Sequence, residues 1–188
     1  MNREEFEKMS GLVFEYQADV KDKFPNRNWP ADYHLKLKVG APVMFLKNDR
    51  ETAVSNGTIG KVISLSGESI VVEIPDDDGP REVEVMRATW VNTVFEYSRE
   101  TKSVERKILG TFTQFPLSLA WAITVHKSQG MTFQKVIADL EMSFTFGQEY
   151  VGLSRCVSLQ TLHLMSDVRA KMLGPHPQAV RFYREHFG

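Results

Sequence analysis

The 188 residues carry 23 Lys and Arg against 24 Asp and Glu, with 42% hydrophobic and 25% charged residues. This is ordinary globular composition, which excludes a disordered or membrane-embedded chain, and a net charge of −1 argues against a generic polyanion binder with a basic surface, so that any strand contact must be local or shared with residues outside this chain. The lone Cys156 excludes an intrachain disulfide and suits a reducing cytoplasm, and neither the N-terminus nor apolar runs such as 117–125 give a signal region or a bilayer span.

A short helix is expected at the start, with Asn2 and Glu5 in capping-box spacing, Phe6, Met9 and Val13 as its apolar stripe, and Gly11 to stop it. Pro25, Asn26, Asn28 and Pro30 mark a loop. From Leu35 to Ile108 the pattern predicts short strands at 43–46, 58–65, 70–74, 82–86 and 91–97. Asn56-Gly57 and the acidic run Asp76–Asp78 supply turns. Strands this short and turns this regular predict a small antiparallel barrel, with Trp90, Phe95 and Tyr97 in its core rather than lining a peptide groove. Beyond Gly110, Thr111–Phe115 is extended and Ser118–Lys127 is helical. A strand at 136–140, a helix at 148–157, a strand at 161–165 and a last helix at 178–187, docked by Phe182 and Phe187, follow. Strand–helix alternation implies an α/β domain with a mainly parallel sheet, here with too few strands to be complete.

Two clusters carry the chemistry. In Thr124-Val125-His126-Lys127-Ser128-Gln129-Gly130-Met131-Thr132-Phe133, donors crowd up to a glycine that permits close backbone approach to a ligand. Such donors suit phosphate oxygens of a strand or nucleotide, although a polar helix end closed by a glycine reads the same way. In Tyr150-Val151-Gly152-Leu153-Ser154-Arg155-Cys156, Arg155 can project as a fixed cation towards a terminal phosphate; the plain alternative is a surface ion pair with Glu149. His34, His126, His163, His176 and His186 lack metal-ligand spacing, so no metal site is expected. Ser154 lacks the Gly-x-Ser-x-Gly setting, since Cys156 stands where the last glycine belongs.

The two clusters in this order resemble motifs V and VI of superfamily-one helicases, closest to the RecD/TraA and Pif-type branch and to exonuclease V α-subunits. Pro30-Ala31-Asp32, Leu37–Met44, Lys47-Asn48-Asp49 and Asn56–Val62 resemble the entry into the SH3-like barrel (domain 2B) inserted in the second RecA-like domain of these enzymes. The resemblance implies residues 1–34 as a helix and linker of that domain, 35–108 as the barrel, and 109–188 as the remainder carrying both motifs. It implies Arg155 as the arginine finger, with Gly130, Met131 and Thr132 beside the nucleotide; some relatives carry a carboxylate at the Thr132 position. Thr124, His126, Lys127, Ser128, Gln129, Lys47 and Asn48 are implied to contact single-stranded DNA. The implied partners are that strand, a missing first RecA-like domain and the subunits of a nuclease complex.

No Gly-x-x-x-x-Gly-Lys-Ser/Thr occurs; Ser55–Val62 comes nearest, with Ser for the first glycine and Val after the lysine. ATP and Mg²⁺ therefore belong to the intact parent enzyme, and the isolated chain is expected neither to bind them nor to hydrolyse ATP. The competing expectation is an accessory or structural module derived from a helicase.

Overall fold

The computed structural model describes residues 1–76, 78–98, 102–169 and 173–187, and its contacts fall into two units, Met1–Ala122 and Ile123–Gly188. In the first unit, helix α1 (Asn2–Lys8) forms, yet no side chain caps its start. Asn2 instead accepts the N–H of Ala122 and donates to its carbonyl, both at 2.7 Å, and donates to Leu119 O at 3.3 Å. The far end is closed by a lysine rather than by Gly11. Lys38, only 7% exposed, donates its Nζ to the carbonyls of Phe6 (3.0 Å) and Met9 (2.7 Å), and such a cation complements the helix C-terminus. Replacing Asn2 by Ala strands the half-buried Ala122 amide. The expected loss is about 1–2 kcal/mol, read as a Tm lower by several degrees.

Residues 14–22, between the expected helix and loop, form two strands, β1 (Phe14–Gln17) and β2 (Asp19–Asp22). Their shortness hides them, because both depend on distant partners. Strand β1 pairs antiparallel with β3 (His34–Leu37). Strand β2 joins the long hairpin of β8 (Ala88–Ser98) and β9 (Ser103–Gln114). Between them lie β4 (Pro42–Phe45), β5 (Ile59–Leu65), β6 (Ile70–Ile74) and β7 (Arg81–Val85). With β10 (Leu117–Leu119) these make a five-stranded antiparallel sheet in the order β10-β4-β5-β6-β7. Among the described residues the pairing runs from β10 to β7 without closing into a ring, so the expected barrel is not confirmed. Strand β9 runs through the boundary expected at residue 108.

The core of this unit draws Leu35 and Leu37 from β3, Val43 and Phe45 from β4, Val62 from β5, Ile70 and Val72 from β6, Phe115 from the approach to β10 and Leu117 from β10 itself. Each such side chain contributes roughly 1.5–3 kcal/mol by leaving water. Gln114 is fully buried among them. Its Nε2 donates to Tyr16 O (2.8 Å), Asp32 O (3.2 Å) and Tyr33 O (3.3 Å), and its Oε1 accepts the Phe115 amide (3.0 Å), so one side chain ties β9 to the β1–β3 pair. Two of the three expected core aromatics lie elsewhere. Trp90 packs edge-on against Phe112, whereas Phe95 and Tyr97 are 72% and 64% exposed on the part of the hairpin that β2 does not reach. A two-stranded ribbon has no second layer to bury them.

The second unit contains β11 (Val136–Ala138), α2 (Gln148–Leu153) and β12 (Leu162–Leu164), with β11 and β12 parallel. This is the expected strand–helix–strand crossover. It is also the one parallel pairing between these strands among the described residues, so the mainly parallel sheet is corrected to a mixed fold of several sheets. The helix expected over 118–127 is absent. Leu117–Leu119 pairs as β10 with β4, and 125–130 is a succession of turns, because Leu117 and Ser118 are buried by that pairing. The last helix, α3 (Pro177–Phe187), forms without docking its aromatics. Phe182 and Phe187 are 56% and 70% exposed, and Phe182 stacks on His186 of the same helix. No helix among the described residues is long and apolar enough to cross a membrane.

Candidate nucleotide and strand site

The glycine segment begins with a local turn. Thr124 Oγ1 accepts the Lys127 amide (3.3 Å) and its carbonyl accepts the Ser128 amide (3.1 Å), while Ser128 Oγ donates to Val125 O (2.8 Å). Ser128 is thus 5% exposed and its hydroxyl proton is spent on shaping the turn. Thr124, His126, Lys127 and Gln129 are exposed, and Lys127 has no carboxylate partner among the described residues. Gly130 follows at φ 79, where a side chain is strained, and a Cβ there would meet nothing within 4 Å. A conformation that needs glycine beside open space is what close backbone approach to a ligand requires.

Arg155 lies against this turn. The backbone brings it there: the Phe133 amide donates to Arg155 O (2.8 Å), the Val157 amide donates to Phe133 O (3.1 Å), and Phe133 bridges Cys156 in parallel. The side chain adds a second tie. Nη1 donates to Met131 O (3.1 Å), Nε to Val151 O (3.0 Å) and Nη2 to Ser154 Oγ (2.9 Å). All three acceptors are neutral, and no carboxylate neutralises Arg155 among the described residues. The guanidinium is therefore oriented while its charge remains available, with two of its five N–H groups still unassigned. Gly130, Met131, Thr132 and Arg155 share one place, with Thr132 exposed and Met131 half-buried.

The alternative pairing of Arg155 with Glu149 does not form. Glu149 is wholly buried and paired with Arg169, Nε to Oε1 at 3.1 Å, and its Oε2 also accepts the Arg169 amide at 2.8 Å. Sequence reasoning missed this pair; a carboxylate inside an apolar helix stretch was the available signal. Cys156, beside Arg155, has its thiol held below the usual value chiefly by the Thr161 hydroxyl and then by backbone groups.

Lys47 and Asn48 lie in the first unit, after β4. Lys47 is exposed; its Nζ donates to Thr89 O (3.1 Å) and sits 5.5 Å above the Trp90 ring. Asn48 Oδ1 accepts the Asn56 amide at 2.6 Å and so closes the loop leading to Asn56-Gly57. The adjacent Asp49 carboxyl is held below its usual range by the Thr52 hydroxyl and the Glu51 amide.

Comparison with known proteins places the chain among its relatives. The profile of the DNA helicase Pif1 2B domain matches residues 25–65. The ATP-dependent DNA helicase Pif1 of Bdellovibrio bacteriovorus is 35% identical over 159 residues, covering 85% of this chain and 33% of that protein. Unliganded Pif1 from Bacteroides sp has a TM-score of 0.83 at 38% identity, covering 100% of this chain and 43% of the other. Pif1 helicase from Bacteroides in complex with ADP-AlF3 and ssDNA has a TM-score of 0.73 at 38% identity, covering 99% of this chain and 42% of the other. The chain thus spans about a third of the curated relative and about two-fifths of the solved structures. These matches favour the Pif side of the resemblance and give RecD or exonuclease V specificity no support of its own. Sequence and fold together relate this chain, along almost its whole length, to the C-terminal part of superfamily-one Pif1-type helicases.

Proposed function

We propose that this chain supplies the second motor half of an ATP-dependent DNA helicase. The observation that carries the reading is Arg155, pinned by Met131 O beside the open Gly130 turn and without a counter-ion among the described residues. An oriented, uncompensated guanidinium next to exposed backbone fits a terminal phosphate, and an arginine so placed stabilises the charge that develops in phosphoryl transfer. ATP and Mg²⁺ would be held mainly by a first motor domain, since this chain has no phosphate-binding loop.

In this reading Arg155 reaches across to the nucleotide, and Gly130, Met131 and Thr132 form the adjoining wall. Exposed Thr124, His126, Lys127 and Gln129 touch the strand backbone, and Ser128 holds the turn that presents them. Lys47 and Asn48 add a second strand contact from the part matched by the 2B profile, which the resemblance makes SH3-like. The relative whose structure contains both ADP-AlF3 and single-stranded DNA supports coupling the two ligands through this half. Closure of the cleft on nucleotide, followed by release, would then move the strand contacts by a step.

The test is ATP turnover by the intact gene product that contains this sequence, with and without single-stranded DNA. Turnover stimulated by the strand is expected. Absence of turnover under both conditions refutes the motor reading and leaves the accessory-module reading in its place.

A further inference from the structure

We infer that Glu149 and Arg169 are a positioning pair for Arg155. Helix α2 is only six residues long, and its N-cap, Gly147, has no side chain with which to hold it. Its C-terminal flank carries Arg155, whose Nε rests on Val151 O of the helix and whose Nη1 rests on Met131 O of the glycine turn. The direction of the guanidinium therefore depends on where α2 sits relative to that turn.

Two features fix the helix. Gly152 lies against Leu140, so closely that a Cβ would stand 3.0 Å from its Cδ2. The other is polar. Glu149, on the first turn of α2 and 0% exposed, accepts both the amide and the Nε of Arg169, from the stretch after β12. Arg169 Nη2 continues to Ser143 O at 2.6 Å, in the loop that follows β11. One ion pair thus joins the segment after β11, α2 and the segment after β12. A carboxylate buried this completely is tolerated only when paired and hydrogen-bonded, and here its partner comes from 20 residues away. The pair touches no atom of the site and acts through the placement of α2.

The test reads Arg155 directly. In ¹⁵N-labelled protein the Arg155 Nε–H resonance, assigned by its disappearance in Arg155→Lys, reports whether the bond to Val151 O is kept. Glu149→Gln and Arg169→Lys are each expected to speed exchange of that proton by about tenfold or more, with amide protection in 1–122 unchanged. Unchanged protection of the Arg155 Nε–H in either folded variant overturns the inference. So does unfolding of 123–188 in both variants, which marks the pair as purely structural; should Glu149→Gln alone fail to fold, Arg169→Lys decides, because it keeps a cation beside the carboxylate.

The inference rests on the proposed function only in a second arm. In the intact gene product, kcat for strand-stimulated ATP turnover should fall roughly 10–100-fold in either variant, since small misplacements of a catalytic group cost that much, while the KM for ATP stays within about twofold. Normal turnover in Arg155→Ala with altered exchange in Glu149→Gln would remove the function and keep the pair. Loss in Arg155→Ala with full kcat in Glu149→Gln would do the reverse.

Discussion

Substituting Arg155 by Ala should lower strand-stimulated ATP turnover in the intact gene product by ~10³-fold or more, the scale of losing an arginine finger, while nucleotide affinity stays within a few-fold. The asymmetry follows from the site. Arg155 is oriented by three neutral acceptors and is not needed to neutralise a carboxylate, so its removal strands no buried charge. The fold of 123–188 should survive, because the backbone bonds of Phe133 with Arg155 and Val157 remain. Arg155→Lys should fare little better than Ala, since an ammonium cannot hold Met131 O and present a planar fork at once. Turnover is measured against nucleotide binding on the same preparations, and normal turnover in Arg155→Ala removes the finger assignment.

A large loss of stability is expected at Gly60. On β5 its position faces β6, and a Cβ built there would stand 2.5 Å from Val72 Cγ1, 2.6 Å from Glu73 O and 2.8 Å from Ile74 Cγ2. A side-chain methyl can rotate away, but the Glu73 carbonyl belongs to the strand. Relief requires separating β5 from β6, at the middle of the five-stranded sheet. Ordinary overpacking costs about 1–3 kcal/mol, and Gly60→Ala should exceed that because backbone as well as side chains must move. The comparison is Gly67→Ala, where a Cβ meets nothing within 4 Å and the change should be neutral or stabilising by up to ~1 kcal/mol through a less flexible unfolded chain. Denaturant midpoints for the two variants measure both at once; equal midpoints would show that β5 and β6 are not packed as described.

Local chemistry carried a good part of the fold. The runs at 43–46, 58–65, 70–74, 82–86 and 91–97 are rich in β-branched and apolar residues, and strands β4 to β8 stand on them. The crossover of β11, α2 and β12 was legible for the same reason, whereas the link between the glycine segment and Arg155 came from the resemblance to helicase motifs and not from local chemistry. Composition misled where long-range pairing outweighed it. Phe14–Gln17 and Asp19–Asp22 are only four residues each, too short to show a strand pattern by themselves, and β3 and β9 supply their hydrogen bonds. The stretch 118–127 has helical spacing but begins as a strand, because β4 offers it a partner.

What the sequence determined by itself was the chemical inventory: an arginine and a donor-rich glycine segment in a fixed order, with no phosphate-binding loop to accompany them. What only the tertiary structure decided was which of those groups are free to act. Ser128 is spent on its own turn, Glu149 is taken by Arg169 rather than by Arg155, and Arg155 is left oriented and uncompensated beside Gly130. The reason is that a polar side chain's availability depends on which partner reaches it in space: the partner of Ser128 is local, but those that join Glu149 to Arg169 and Arg155 to Met131 lie 20 to 24 residues away and leave no mark in local pattern.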